Sequence, residues 1–138
     1  MRNSMRKIEH LGLAVENIEE ASKVFADLLG TECYKLEEVE SEHVKTAFFK
    51  IGESKIELLQ ATNPSSAIAK YISKKGQGIH HIAFDVADIE AEIQRLEGKG
   101  FQLIHKTPKD GADNKLIAFL HPKSTEGMLI ELCQEREE

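Results

Sequence analysis

From Ile8 to Val15 the chain alternates, which places Leu11, Leu13 and Val15 on one face of a strand. His10, Gly12 and Ala14 occupy the other face. At Asn17 the period lengthens: Ile18, Ala21, Val24, Phe25 and Leu28 line one side of a helix. Asn17, with Glu20 three residues on, has the form of a capping box, and Gly30 suits the helix stop. Strand-like segments follow near 32–39, 44–51 and 54–61, the last two turning at Gly52-Glu53. A short helix over 64–75 carries Ala67, Ile68, Tyr71 and Ile72.

The same order then begins again. A strand over 79–86 leads to a helix over 89–98 capped by Asp88, and strands are expected at 101–106, 115–121 and 127–134. Thr107 to Asn114 reads as a polar loop. The two halves echo each other in residues as well as in pattern. His10-Leu11-Gly12-Leu13-Ala14-Val15 matches His81-Ile82-Ala83-Phe84-Asp85-Val86, and Ile56-Glu57-Leu58-Leu59-Gln60 matches Ile130-Glu131-Leu132-Cys133-Gln134. The expected class is therefore α+β, a single domain over 6–134 made of two βαβββ modules, about 8–61 and 79–134, joined by the helix at 64–75. Two such sheets, packed as a pseudo-twofold pair with helices outside, would enclose a cleft. His10 and His81 would face it beside the small residues Gly12, Ala14 and Ala83, which would leave room for a ligand.

Composition narrows the function class. The 138 residues carry 18 Lys and Arg against 24 Asp and Glu, a net charge of −6, which argues against a general nucleic-acid or membrane binder. No apolar run approaches the ~20 residues of a membrane span, and the charged N-terminus lacks the apolar stretch of a secretory signal. Cys33 and Cys133 make no disulfide framework and read as small buried hydrophobes, so a cytoplasmic protein is expected.

Candidate chemistry lies in the repeated residues. Glu57 and Glu131 each sit inside an apolar strand, where a carboxylate must be paired, protonated or bound to a cation. One divalent ion would satisfy both, with His10 and His81 completing the ligand set. Two imidazoles and two carboxylates suit a borderline divalent ion such as cobalt, nickel, manganese, zinc or iron; cellular supply, not ligand identity, decides among these, and cobalt is the ion expected. In the doublet His80-His81 only one ring can reach the cleft, and the alignment with His10 selects His81. His43, His105 and His121 have no repeat partner and are assigned local roles.

With these residues in the order His…Glu…His…Glu, the chain resembles the vicinal oxygen chelate superfamily, which includes glyoxalase I, extradiol dioxygenases and fosfomycin-resistance proteins. The turn His121-Pro122-Lys123 before Gly127-Met128-Leu129-Ile130-Glu131-Leu132, together with Ser66-Ala67-Ile68-Ala69-Lys70-Tyr71, resembles its methylmalonyl-CoA epimerase family. That resemblance implies epimerisation at C2 of an acyl-CoA by proton abstraction and return through a metal-stabilised enolate. It also implies Glu131 as one base. Lys123, held by Pro122 in a tight turn, is read as a contact for the substrate carboxylate or the CoA phosphates. A second family glutamate falls where this chain has Lys45-Thr46-Ala47, so Glu42 becomes the nearest substitute. The small-molecule partner is then an acyl-CoA, and a homodimer is expected. A glyoxalase I-type lactoylglutathione lyase is the alternative reading. An extradiol dioxygenase fits less well because Glu57 fills its open position, and a metal-free binder of the bleomycin-resistance type because the four ligands are intact.

Overall fold

The computed structural model describes residues 4–136, in which eight strands and three α-helices follow the order expected of two modules. Two compact units are distinguished, one spanning His10–His80 and the other running from His81 onward together with the stretch up to Glu9.

In the His10–His80 unit, β2 (Lys35–Val39), β3 (Val44–Ile51), β4 (Ser54–Ala61) and β1 (Met5–Ala14, from His10 on) lie in the order β2-β3-β4-β1. β4 is antiparallel to β3 and parallel to β1. Helix α1 (Ile18–Leu29) is capped as its sequence requires: Asn17 Oδ1 accepts from the Glu20 N–H at 3.0 Å, and Gly30 closes the helix at φ 70°. Its apolar side, Ala21 and Phe25, packs on Leu58, Phe49 and Ile56. Helix α2 (Ala67–Lys75) starts later than the sequence suggests, because Asn63 Oδ1 takes the Ser65 N–H in a turn and Ser66 becomes the cap.

In the other unit β5 (Gly78–Val86) is parallel to β8 (Ile130–Glu135), followed outward by β7 (Lys115–Leu120) and the two-residue β6 (Lys109–Asp110). Helix α3 (Ile89–Gly98) is capped by Asp88, whose Oδ1 accepts from the Ala91 N–H at 3.1 Å. Val86, Ile89, Ile93, Leu96 and Leu132 form its core. Burying side chains of this size contributes roughly 1.5–3 kcal/mol each.

The strand expected at 101–106 is absent. Only Leu103 bridges to Leu120, and side chains take the donors that would extend the ladder on either side. The Gln102 N–H donates to Ser124 Oγ and the Phe119 N–H to His105 Nδ1. The chain forms β6 further on instead, inside the segment read as a loop. β8 also begins three residues late, because Gly127 at φ 87° and the Met128 N–H bonded to the Thr125 carbonyl hold a turn there.

One further expectation is altered by packing. Ala14 and Ala83 are fully buried. Ala14 packs with Val44, Leu59 and Ile68 of α2, and Ala83 with Ile117 and Cys133, so both methyl groups take part in core packing. Cys133 is buried as expected, whereas Cys33 is partly exposed, its thiol donating to the Lys35 carbonyl.

Candidate metal-binding residues

In the His10–His80 unit the parallel ladder sets Gly12 opposite Glu57, and the antiparallel ladder sets Phe48 opposite the same glutamate. The His10 ring, two residues before Gly12 on the same strand, lies beside the carboxylate: His10 Nδ1 is 3.1 Å from Glu57 Oε2. Both residues are buried, at 4% and 6% exposure.

The other unit repeats the arrangement in its own register. Ala83, two residues beyond His81, lies opposite Glu131 on β5, and Phe119 lies opposite Glu131 on β7. His81 Nε2 is 2.9 Å from Glu131 Oε1, and both are buried. The His81 ring stands edge-on to Phe119, with centroids 5.6 Å apart. The second carboxylate oxygen, Oε2, accepts from the Cys133 thiol at 3.4 Å. Glu131 and Cys133 can meet because residues two apart share a strand face.

The sequence echo thus corresponds to a three-dimensional one: small residue, glutamate and phenylalanine side by side in each unit, with an imidazole against the carboxylate. The glutamine that ends each echo has a matching role. Gln60 Oε1 accepts from the Ile18 N–H and Gln134 Oε1 from the Ile89 N–H, each at 2.7 Å, so each Glu strand helps cap the helix of its own module. Sequence reading missed this role, although the signal was present in the paired glutamines.

The remaining residues separate cleanly. His80 stands edge-on to Tyr71 with ring centroids 5.1 Å apart, while its neighbour His81 meets Glu131. His105 and His121 accept backbone N–H groups, from Phe119 and Lys123 respectively. Lys123 is exposed on the 3-10 turn Pro122–Ser124 between β7 and β8. Glu42 is exposed on the 3-10 turn Glu40–Glu42 ahead of β3, and on that strand Thr46 is buried at 1% exposure.

The donor chemistry fits a divalent metal. Each unit presents one imidazole nitrogen and one carboxylate oxygen, buried and about 3 Å apart, and such mixed nitrogen and oxygen donors suit borderline divalent ions. Among the described residues no helix is long and apolar enough to cross a membrane.

Comparison with known proteins gives a consistent result. The pattern of the Glyoxalase/Bleomycin resistance protein/Dioxygenase superfamily matches residues 9–119. The uncharacterised protein YqjC of Bacillus subtilis is 38% identical over 132 residues, 96% of this chain and 94% of its own. The ethylmalonyl-CoA/methylmalonyl-CoA epimerase of Cereibacter sphaeroides is 35% identical over 93% of this chain and 97% of that protein. Among solved structures, Streptomyces coelicolor methylmalonyl-CoA epimerase in complex with 2-nitronate-propionyl-CoA has a TM-score of 0.92 at 33% identity, covering 96% of each chain.

Proposed function

This chain belongs to the Glyoxalase/Bleomycin resistance protein/Dioxygenase superfamily, and from that premise we propose that it epimerises methylmalonyl-CoA at C2. The observation that carries the reading is the buried His–Glu pair, repeated in both units at equivalent ladder positions. For stability alone such a buried pair is often no better than apolar residues of the same volume, so two of them point to a use beyond packing. Relatives described as epimerases match this chain over nearly its whole length and favour an acyl-CoA over other superfamily substrates.

His10, Glu57, His81 and Glu131 are the residues that would hold one divalent ion, cobalt first, with nickel, manganese, zinc or iron as alternatives. Such an ion, when bound, supplies Lewis-acid stabilisation of negative charge on the thioester oxygen. The chain's own residues must then move the proton. Inversion at C2 requires a proton acceptor and a proton donor on opposite faces of the carbon. Glu131 is assigned one of these roles, as the carboxylate buried against His81. Glu42, the acid nearest the start of β3, is assigned the other, since Thr46 has no acid to offer. Lys123, exposed on the turn Pro122–Ser124 that follows β7, is assigned to the anionic groups of the substrate. The working form is proposed to be a cytoplasmic homodimer.

The assay that tests this supplies each C2 epimer of methylmalonyl-CoA separately and follows appearance of the other. Turnover from both directions is expected, with the hemithioacetal of glutathione left untouched. Turnover of the hemithioacetal alone would transfer the protein to the lactoylglutathione lyase reading.

A further inference from the structure

We propose that Cys133 is a positioning residue for Glu131: its thiol holds the carboxylate in the rotation that presents the other oxygen for metal binding. The inference rests on reading His81 and Glu131 as metal ligands. The Cys133 thiol donates to Glu131 Oε2 at 3.4 Å, while Oε1 of the same carboxylate lies 2.9 Å from His81 Nε2. One oxygen is thus engaged by the thiol and the other faces the imidazole.

Two features make this more than a contact between neighbours. First, Cys133 breaks the internal repeat. Where the echo of Glu131 in the first module, Glu57, is followed two residues later by Leu59, the second module places a thiol. Leu59 is an apolar core residue, packed with Ala14, Val44 and Ile68. The two glutamates therefore differ in what their own strand offers them. The difference falls on the glutamate assigned a role in proton transfer as well as in binding.

Secondly, the thiol is fixed. Cys133 is fully buried, packed with Ala83 and Ile117, with Phe119 against the same cluster. A side chain with a single rotatable bond to its sulfur, held in such packing, keeps Sγ in one position, from which the S–H can turn to Glu131 Oε2. A thiol is a weak donor, so its contribution is orientation more than strength. Groups that orient metal ligands from behind commonly change metal affinity by about 10–100-fold when removed.

The test uses the full chain stripped of metal and titrated with cobalt(II) by calorimetry and visible absorption, as wild type, Cys133→Ala and Cys133→Ser. Wild type should bind, and Cys133→Ala should bind about tenfold more weakly or worse, with altered visible bands; its apo form should melt lower because the buried sulfur is lost, yet stay folded by circular dichroism. Cys133→Ser, which keeps a donor of similar size, should recover most of that affinity. Equal affinity in wild type and Cys133→Ala would overturn the positioning role and leave the ligand assignment intact. So would Cys133→Ser as weak as Cys133→Ala, which would reduce the thiol to packing. An intense sulfur-to-cobalt charge-transfer band in wild type would overturn it differently, making the thiolate itself a ligand. Wild type that binds no divalent ion would remove the ligand assignment, and the role of Cys133 with it.

Discussion

Glu131 and His81 carry most of the chemical weight at the scale of single residues, because they combine burial, mutual contact and a place on adjacent strands. Replacing His81 with Ala or Glu131 with Gln should lower epimerase activity by about 10²-fold or more. The far-UV circular dichroism should stay unchanged, and full activity in either variant would contradict the assignment. Glu57→Gln should be milder, since an amide oxygen can still bind a metal; complete loss of cobalt binding in that variant would show that the carboxylate charge is essential. These residues were legible in the sequence because a glutamate inside an apolar strand is an energetic anomaly, and here the anomaly occurs twice. The contact between Cys133 and Glu131 was not legible in the same way. A cysteine among leucines and isoleucines reads as core, and the hint lay only in the exchange of Leu59 for Cys133 within an otherwise matching segment.

At the scale of elements, local sequence specified α1 and α3 well, because Asn17 and Asp88 cap them within three residues, whereas α2 begins three residues later than the sequence suggests because Ser66 is its cap. Asn17, Ser66 and Asp88 each cap a helix through their own side chain. Asp88→Ala should therefore cost about 1 kcal/mol, read as a lower midpoint in urea denaturation. The long-range caps are testable in parallel. Gln60→Ala and Gln134→Ala each free a helix N-terminal N–H and should cost about 1–3 kcal/mol if that group stays buried; unchanged midpoints would mean that the glutamines are passengers of the repeat. Strand pairing at 101–106 could not be read from the sequence. Its apolar residues favour a strand, but two pairings that no local window shows divert the ladder: Ser124 takes the N–H of Gln102, and His105 that of Phe119.

For the whole molecule, the repeat gives the account its force. Duplicated modules bring the same register, small residue and aromatic neighbour to each glutamate, so the two His–Glu pairs are two copies of one device. If both serve a single ion, that ion should bind the folded chain and not the unfolded one. Cobalt at about a thousand times its dissociation constant should then add roughly 4 kcal/mol of stability, seen as a rise in melting temperature that chelation reverses. An unchanged melting temperature despite bound cobalt would mean that the unfolded chain binds the ion equally well, so that these residues form no site specific to the fold. The central claim, that these groups labilise a proton at C2 of an acyl-CoA, is tested most directly by incubating methylmalonyl-CoA with the protein in deuterated water. Chelated and cobalt-reconstituted samples would be compared by mass spectrometry. Deuterium entering C2 only with metal present, together with appearance of the opposite epimer, is the predicted result. Stoichiometric metal without exchange at C2 would contradict it.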